Sequence, residues 1–199
     1  ANDYINNTII DGSTATDDYG SCILIYSPND ECLAPNIIGF TIQNGEGTLV
    51  LNDPGTEQES QQRLGGGVLF DISDPTISYN QFLENGSTEV FSGGAAYGSS
   101  VEEDWSFNNR DMNSNPRCDV DEFNLENNLY NGNDALYGNT LANVGFEESI
   151  DMSGSVFDVA NCYQEEVSAV WVKVEEEAQV DLEDIAANAC AITGNSAYV

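Results

Sequence analysis

Thr76–Gly86 reads TISYNQFLENG, and Asn36–Gly45 reads NIIGFTIQNG. Both share a frame: an apolar residue, then Phe or Asn three positions on, then a large apolar residue two further on. The frame is Ile77–Asn80–Phe82 in the first and Ile37–Phe40–Ile42 in the second. It returns as Leu125–Asn128–Tyr130 in NLENNLYNGN and as Met152–Ser155–Phe157 in DMSGSVFDV. Asn-Gly follows the first three copies in chain order, at Gly45, Gly86 and Gly132. A second motif alternates with it: GGGVLF at Gly65–Phe70, GGAAYG at Gly93–Gly98 and NDALYG at Asn133–Gly138. Around these lie β-rich runs such as Ile23-Leu24-Ile25-Tyr26 and Val170-Trp171-Val172-Lys173-Val174.

Short strands with Asn and Gly at each corner, in units of roughly 25 residues plus insertions, describe a β-solenoid. One unit cannot bury its inner face alone, so stacking must supply the core. Asn suits the corners because it tolerates left-handed backbone angles and bonds nearby main chain, and stacked Asn side chains form ladders. The expected fold is therefore all-β, a right-handed parallel β-helix of about five to seven coils. The eight frame residues Ile37, Ile42, Ile77, Phe82, Leu125, Tyr130, Met152 and Phe157 should face inward. An ordinary β-sandwich also has short strands at regular spacing, but it does not predict the repeated Gly-Gly and Asn-Gly succession.

IIGFTIQNG and the succession GGG…TISYNQF…NG give the chain its resemblance to the parallel β-helix repeat proteins of the pectin-lyase-like superfamily. The resemblance spans about Ile9 to Val174 and speaks to fold far more than to function. That fold hosts lyases, hydrolases, tailspikes, adhesins and plain surface repeats. Residues 1–199 read as a single domain. Polar insertions are expected near 52–64, as a loop, and near 99–122, anchored by Trp105 and Phe107. Leu182, Ile185, Ala186 and Ala189 have helical spacing, so a short helix near 181–189 is expected, with a strand as the alternative.

Composition narrows the partners. The chain has 199 residues with 35 Asp+Glu, 4 Lys+Arg and no His, a formal charge of −31. So few cations cannot neutralise a row of phosphates, which excludes nucleic acid and disfavours anionic membrane surfaces. Without His there is no Ser–His–Asp or His–Cys catalysis and no imidazole metal ligand. No stretch is long and apolar enough to form a membrane span. Cysteine use and acidity read as extracellular, secreted or at a cell surface, and the start, lacking a basic apolar leader, reads as a mature or excised piece. Bridges Cys22–Cys32, across a short loop, and Cys162–Cys190, about one coil apart, are expected, with Cys118 left over. Five reduced, buried thiols are the alternative.

One constellation matches metal chemistry. Asp111, Asn113, Asn115, Asp119 and Glu122 stand at positions 1, 3, 5, 9 and 12 of an EF-hand-like loop, a spacing that wraps calcium in hard oxygens. Pro116 replaces the Gly that such a loop uses for its sharp turn, and a merely polar loop remains the alternative. Lyases of the resembled fold use calcium with a Lys or Arg base, yet only Lys173 falls in an expected strand. Its hydrolases use grouped aspartates, and Asp17-Asp18 is the sole adjacent pair here. Two functions stay open. One is a non-catalytic extracellular structural or surface β-helix, a filament-forming or adhesin subunit stacked on copies of itself or on further repeats of a parent surface protein. The other is a carbohydrate-active enzyme or a domain that binds polysaccharide. Ile9 and Ile10 near one end, and Tyr198 and Val199 at the other, are the expected assembly ends.

Overall fold

Each copy of the frame pairs with the next, strand against strand, all pointing the same way. The structure is a computed structural model and describes residues 2–16, 18–26, 32–52, 57, 60–71, 73–99, 122–144, 149–158, 170–173, 179–181 and 186–188. A six-stranded sheet runs in the order β1 (Ile9–Asp11), β5 (Thr41–Gln43), β10 (Gln81–Leu83), β14 (Leu129–Asn131), β17 (Val156–Asp158) and β20 (Ala186–Asn188). All its pairs are parallel and in register, so Ile10, Ile42, Phe82, Tyr130, Phe157 and Ala187 make one column. A five-stranded parallel sheet holds β3 (Ile23–Tyr26), β8 (Val68–Asp71), β12 (Ala96–Ser99), β15 (Leu141–Val144) and β18 (Val170–Lys173). Two smaller parallel sheets pair β4 (Asn36–Ile38) with β9 (Thr76–Ser78), and β13 (Glu122–Asn124) with β16 (Ser149–Asp151) and β19 (Gln179–Asp181). The chain passes the five-stranded sheet, a small sheet and the six-stranded sheet in the same cyclic order each time, as β3–β4–β5, β8–β9–β10 and onward to β18–β19–β20.

The inward side chains of these sheets meet in one core that includes Ile25, Ile37, Val68, Phe70, Phe123 and Leu141. All eight frame residues expected to face inward are buried, none more than 7% exposed. Parallel strands sit about 4.8 Å apart, which brings successive rings into contact. Phe82 and Tyr130 stack with centroids 5.3 Å apart, and Tyr130 and Phe157 follow at 5.2 Å. Burying each such side chain contributes about 1.5–3 kcal/mol relative to leaving it in water.

A second core lies on the far side of the five-stranded sheet. Leu69, Tyr97 and Ala142 alternate with the inward residues and pack against Val50 and Leu64. Those two come from β6 (Gly47–Asn52) and β7 (Ser60–Leu64), an antiparallel hairpin. β2 (Tyr19–Gly20) pairs with β6 and β11 (Val90–Ser92) with β7. The expected polar loop at 52–64 is thus corrected at its far end, where Ser60–Leu64 is a strand. The five-stranded sheet is apolar on both faces where the hairpin covers it, which is why β8 is buried throughout its length.

Three further expectations change. Of the span expected as a helix near 181–189, Asp181 ends β19 and Ala186–Asn188 is β20, the alternative strand, while residues 182–185 and 189 lie outside the described residues. NDALYG is not the third copy of the Gly-rich motif: Ala96 pairs with Val68 and Leu141, which places Gly138, not Asn133, level with Gly93 and Gly65. The only helix among the described residues is one short turn, α1 (Asn2–Ile5), and none there is long and apolar enough to cross a membrane.

Candidate functional surface

Two columns of buried amides tie successive levels together. Phe40 N donates to Asn80 Oδ1 (2.9 Å), Asn80 N to Asn128 Oδ1 (2.9 Å) and Asn128 N to Ser155 Oγ (3.1 Å). In return Asn80 Nδ2 donates to Ile37 O and Asn128 Nδ2 to Ile77 O, both at 2.7 Å. Asn85 and Asn133 build the second column: Asn85 N donates to Asn133 Oδ1 (3.1 Å), Asn85 Nδ2 to Ile42 O (2.9 Å) and Asn133 Nδ2 to Phe82 O (3.0 Å). Each amide answers backbone groups at corners where the strand ladder lapses, so removing one strands buried donors and acceptors. Asn128 Nδ2 also reaches the Tyr130 hydroxyl at 3.2 Å; burial pushes that phenol above its usual range.

The corner beside the first column has left-handed backbone at Gly39, Tyr79, Asn127 and Gly154. Gly costs nothing there and Asn little, whereas Tyr79, at φ 57°, is held against its preference by the levels on either side. Its ring is about half exposed. Gly154 cannot be exchanged freely, since a Cβ there would overlap the Asn127 side chain.

The outward surface is uneven. Tyr4, Ile9, Tyr19, Tyr26, Leu33 and Ile38, all large, apolar and exposed, belong to the first circuit of the chain. β1 is the outermost described strand of the six-stranded sheet. Thr41 N donates to Thr8 O and Gly12 N to Gln43 O, both at 2.9 Å, so alternate residues from Thr8 to Gly12 face β5. The N–H and C=O groups of Ile9 and Asp11 therefore point the other way, where no described strand lies. The segment ahead of β1 does not cover that edge. It lies on the outer face instead, where Thr41 Oγ1 donates to Ile5 O (2.8 Å) and Gln81 Nε2 to Asn6 Oδ1 (3.1 Å).

Asp11 pins this end. Ser13 N donates to its Oδ1 (2.9 Å), Gln43 Nε2 to its Oδ2 (2.8 Å) and Asn44 Nδ2 to its Oδ1 (3.2 Å). The Ser13 backbone bond first, then the side-chain bonds, hold the carboxyl well below the usual carboxylate range.

The expected sites fare unevenly. Cys22 is a free thiol, so the Cys22–Cys32 bridge is not formed. Its Sγ is turned inward, donating to Gln43 O at 3.1 Å, and burial first among several causes pushes it up to about 11. Cys32 is disulfide-bonded. Cys118, Cys162, Cys190, Tyr198 and Val199 lie outside them, as do Asp111, Asn113, Asn115 and Asp119; Glu122 opens β13. Among the described residues no group of three or more His, Cys, Asp and Glu is placed to hold a metal. Arg63 donates from Nη1 to Gly47 O at 3.1 Å, within the hairpin. Asp17 is outside the described residues, and Asp18 is exposed. Sequence reasoning missed the Asn85–Asn133 column, because Asn85-Gly86 and Asn131-Gly132 look equivalent but sit out of step. Comparisons with protein families, characterised proteins and solved structures found no match.

Proposed function

We propose that the chain is a right-handed parallel β-helix serving as a non-catalytic structural unit at a cell surface or in a secreted assembly, stacked end to end on copies of itself or on further repeats of a parent protein. The cyclic visiting of parallel, in-register sheets supports the helix, and right-handedness follows from the near-universal hand of parallel crossover connections. The observation that carries the function is the β1 edge, which no described strand covers, together with the exposed apolar side chains of the first circuit. Natural proteins normally blunt such edges, and an edge left unblunted pairs with another strand. The charge of −31 acts along the sides and keeps stacks apart. Light scattering and electron microscopy across salt concentration test this: growth along one axis as screening increases is expected, and a stable monomer at high concentration sinks it.

A second reading, carbohydrate binding, rests on Tyr79, an exposed ring held in a disfavoured backbone conformation beside the level of Ile38. Loss of binding to a neutral glycan on Tyr79→Ala supports it, and an absence of binding by the wild type ends it. Calcium at Asp111–Glu122 belongs to the proposal on ligand spacing, with weak affinity, about 10⁻⁴–10⁻³ M. Calorimetry of wild type against Asp111→Ala should show one site lost.

A further inference from the structure

Resting on the end-to-end reading, a definite contact follows. We propose that the β1 edge of one molecule takes the β20 edge of a second copy, extending the six-stranded sheet with Ile9 opposite Ala186, Ile10 opposite Ala187 and Asp11 opposite Asn188.

Three observations converge on this register. The first is hydrogen-bond phase. Within the sheet, Leu129 N donates to Asn80 O and Val156 N to Asn128 O, both at 2.8 Å, so each strand turns alternate residues toward its two neighbours. Carried one strand further, Ala186 and Asn188 face β17, and the N–H and C=O of Ala187 face away. On β1 it is Ile9 and Asp11 that face away, so Ala187 fits between them as every other pair in the sheet does.

The second is side-chain alignment. Ile10 belongs to the inward column and is only half-buried, while its successors Ile42 and Phe82 are fully buried. Seating it over Ala187 gives that column its missing level. In register Asp11 falls level with Asn188, an uncharged residue. No like charges face each other.

The third is the path of the chain. Ile5 and Asn6, just ahead of β1, are held on the outer face by Thr41 and Gln81, so they do not pair with the side of β1 that no described strand covers. Contact between unlike edges that carries the sheet straight on, with no rotation to close a ring, produces a linear array.

Proline substitution on the outer side of each edge tests this, because it removes an N–H that faces no described strand. At about 1 M salt, where screening shortens to about 3 Å, the wild type should gain mass with concentration in sedimentation velocity. Ile9→Pro alone and Ala187→Pro alone should each remain monomeric with an unchanged circular dichroism spectrum, while Ile9→Ala assembles as the wild type does. Mixed together, the two proline variants should form dimers and nothing larger, since each retains one competent edge. Assembly of folded Ile9→Pro like the wild type overturns the β1–β20 contact while leaving end-to-end stacking in place. A wild type that stays monomeric under every condition overturns stacking itself, and the contact with it.

Discussion

The middle of the stack and its first edge are built from the same frame, yet they meet opposite physical demands. At β10 and β14 each inward ring lies between two buried side chains of its column, Ile42 and Tyr130 for Phe82, Phe82 and Phe157 for Tyr130, and Asn80 and Asn128 are both donors and acceptors to neighbouring levels. At β1 the same column carries half-buried Ile10, and the amide column ends on Phe40, which offers a backbone N–H but no amide of its own. Repetition alone thus gives stability only where a repeat has two neighbours. Among the described residues β1 has a strand on one side only, and exposed Ile9 lies at the side that has none.

The largest difference between the two regions should appear on truncating the shared column. Phe82→Ala removes a fully buried ring and should cost about 3–5 kcal/mol in urea unfolding. Ile10→Ala, at the half-buried end of that column, should cost well under half as much. Equal losses would mean that the edge is as tightly packed as the centre, and the contrast drawn between them would be wrong.

Next in size is the amide column. Asn128→Ala leaves the carbonyl of Ile77 and the N–H of Asn80 without the partner that Asn128 supplies, for about 1–3 kcal/mol. Phe40→Asn, at the terminal position of the same column, gains no described level to bond and gives up the packing of a partly buried ring against the core, so it should destabilise by about 1–2 kcal/mol. A substantial gain from Phe40→Asn would show that the column already has a partner beyond Phe40.

Much of this was legible in the sequence because the repeat writes each inward position several times over. Ile37, Ile77, Leu125 and Met152 could be aligned by eye, and the register agrees with that alignment. What escaped had a single occurrence or a misleading look. The hairpin is one insertion, and its Val50 and Leu64 become intelligible only once the apolar outer face of Leu69 and Tyr97 is seen. NDALYG resembles GGAAYG in letters, whereas the register follows Gly138 because the intervening insertion shifts the count. Cys22 and Cys32 are close in sequence, but the Cys22 sulfur is directed by its place on the wall of the core rather than by loop length.

A smaller effect distinguishes equivalent corners. Tyr79→Gly relieves a left-handed conformation that costs an L-residue roughly 1–2 kcal/mol, and the freer unfolded chain returns about 0.5–1 kcal/mol of that. A net stabilisation of up to about 1 kcal/mol is expected. Gly154→Ala, at the same corner of a later level, should destabilise, since φ there is 64°, a conformation an L-residue adopts only at a cost, and the new Cβ must also displace the Asn127 side chain. If both substitutions shifted the unfolding midpoint in the same direction, the two positions would not be equivalent.

The smallest effect lies at the edge, in the Asp11 carboxylate. Its bonds from Ser13, Gln43 and Asn44 favour the ionised form, so its titration in the folded chain lies below the value of 3.8 for an unperturbed aspartate. A lowered folded value means that the unfolded chain takes up the proton first as pH falls. The stabilisation is therefore fully present above about pH 4–5 and fades progressively below it. Asp11→Asn should be slightly less stable than wild type at neutral pH, because an amide cannot accept at both of its terminal atoms. The gap should narrow as pH falls below about 4, where wild type loses its advantage in the unfolded-state balance. Being exposed, the clamp is also weakened by salt, so the comparison belongs at low ionic strength. A gap that stayed constant from pH 7 to pH 2 would show that Asp11 acts through shape alone and that its charge does nothing to hold β1 in place.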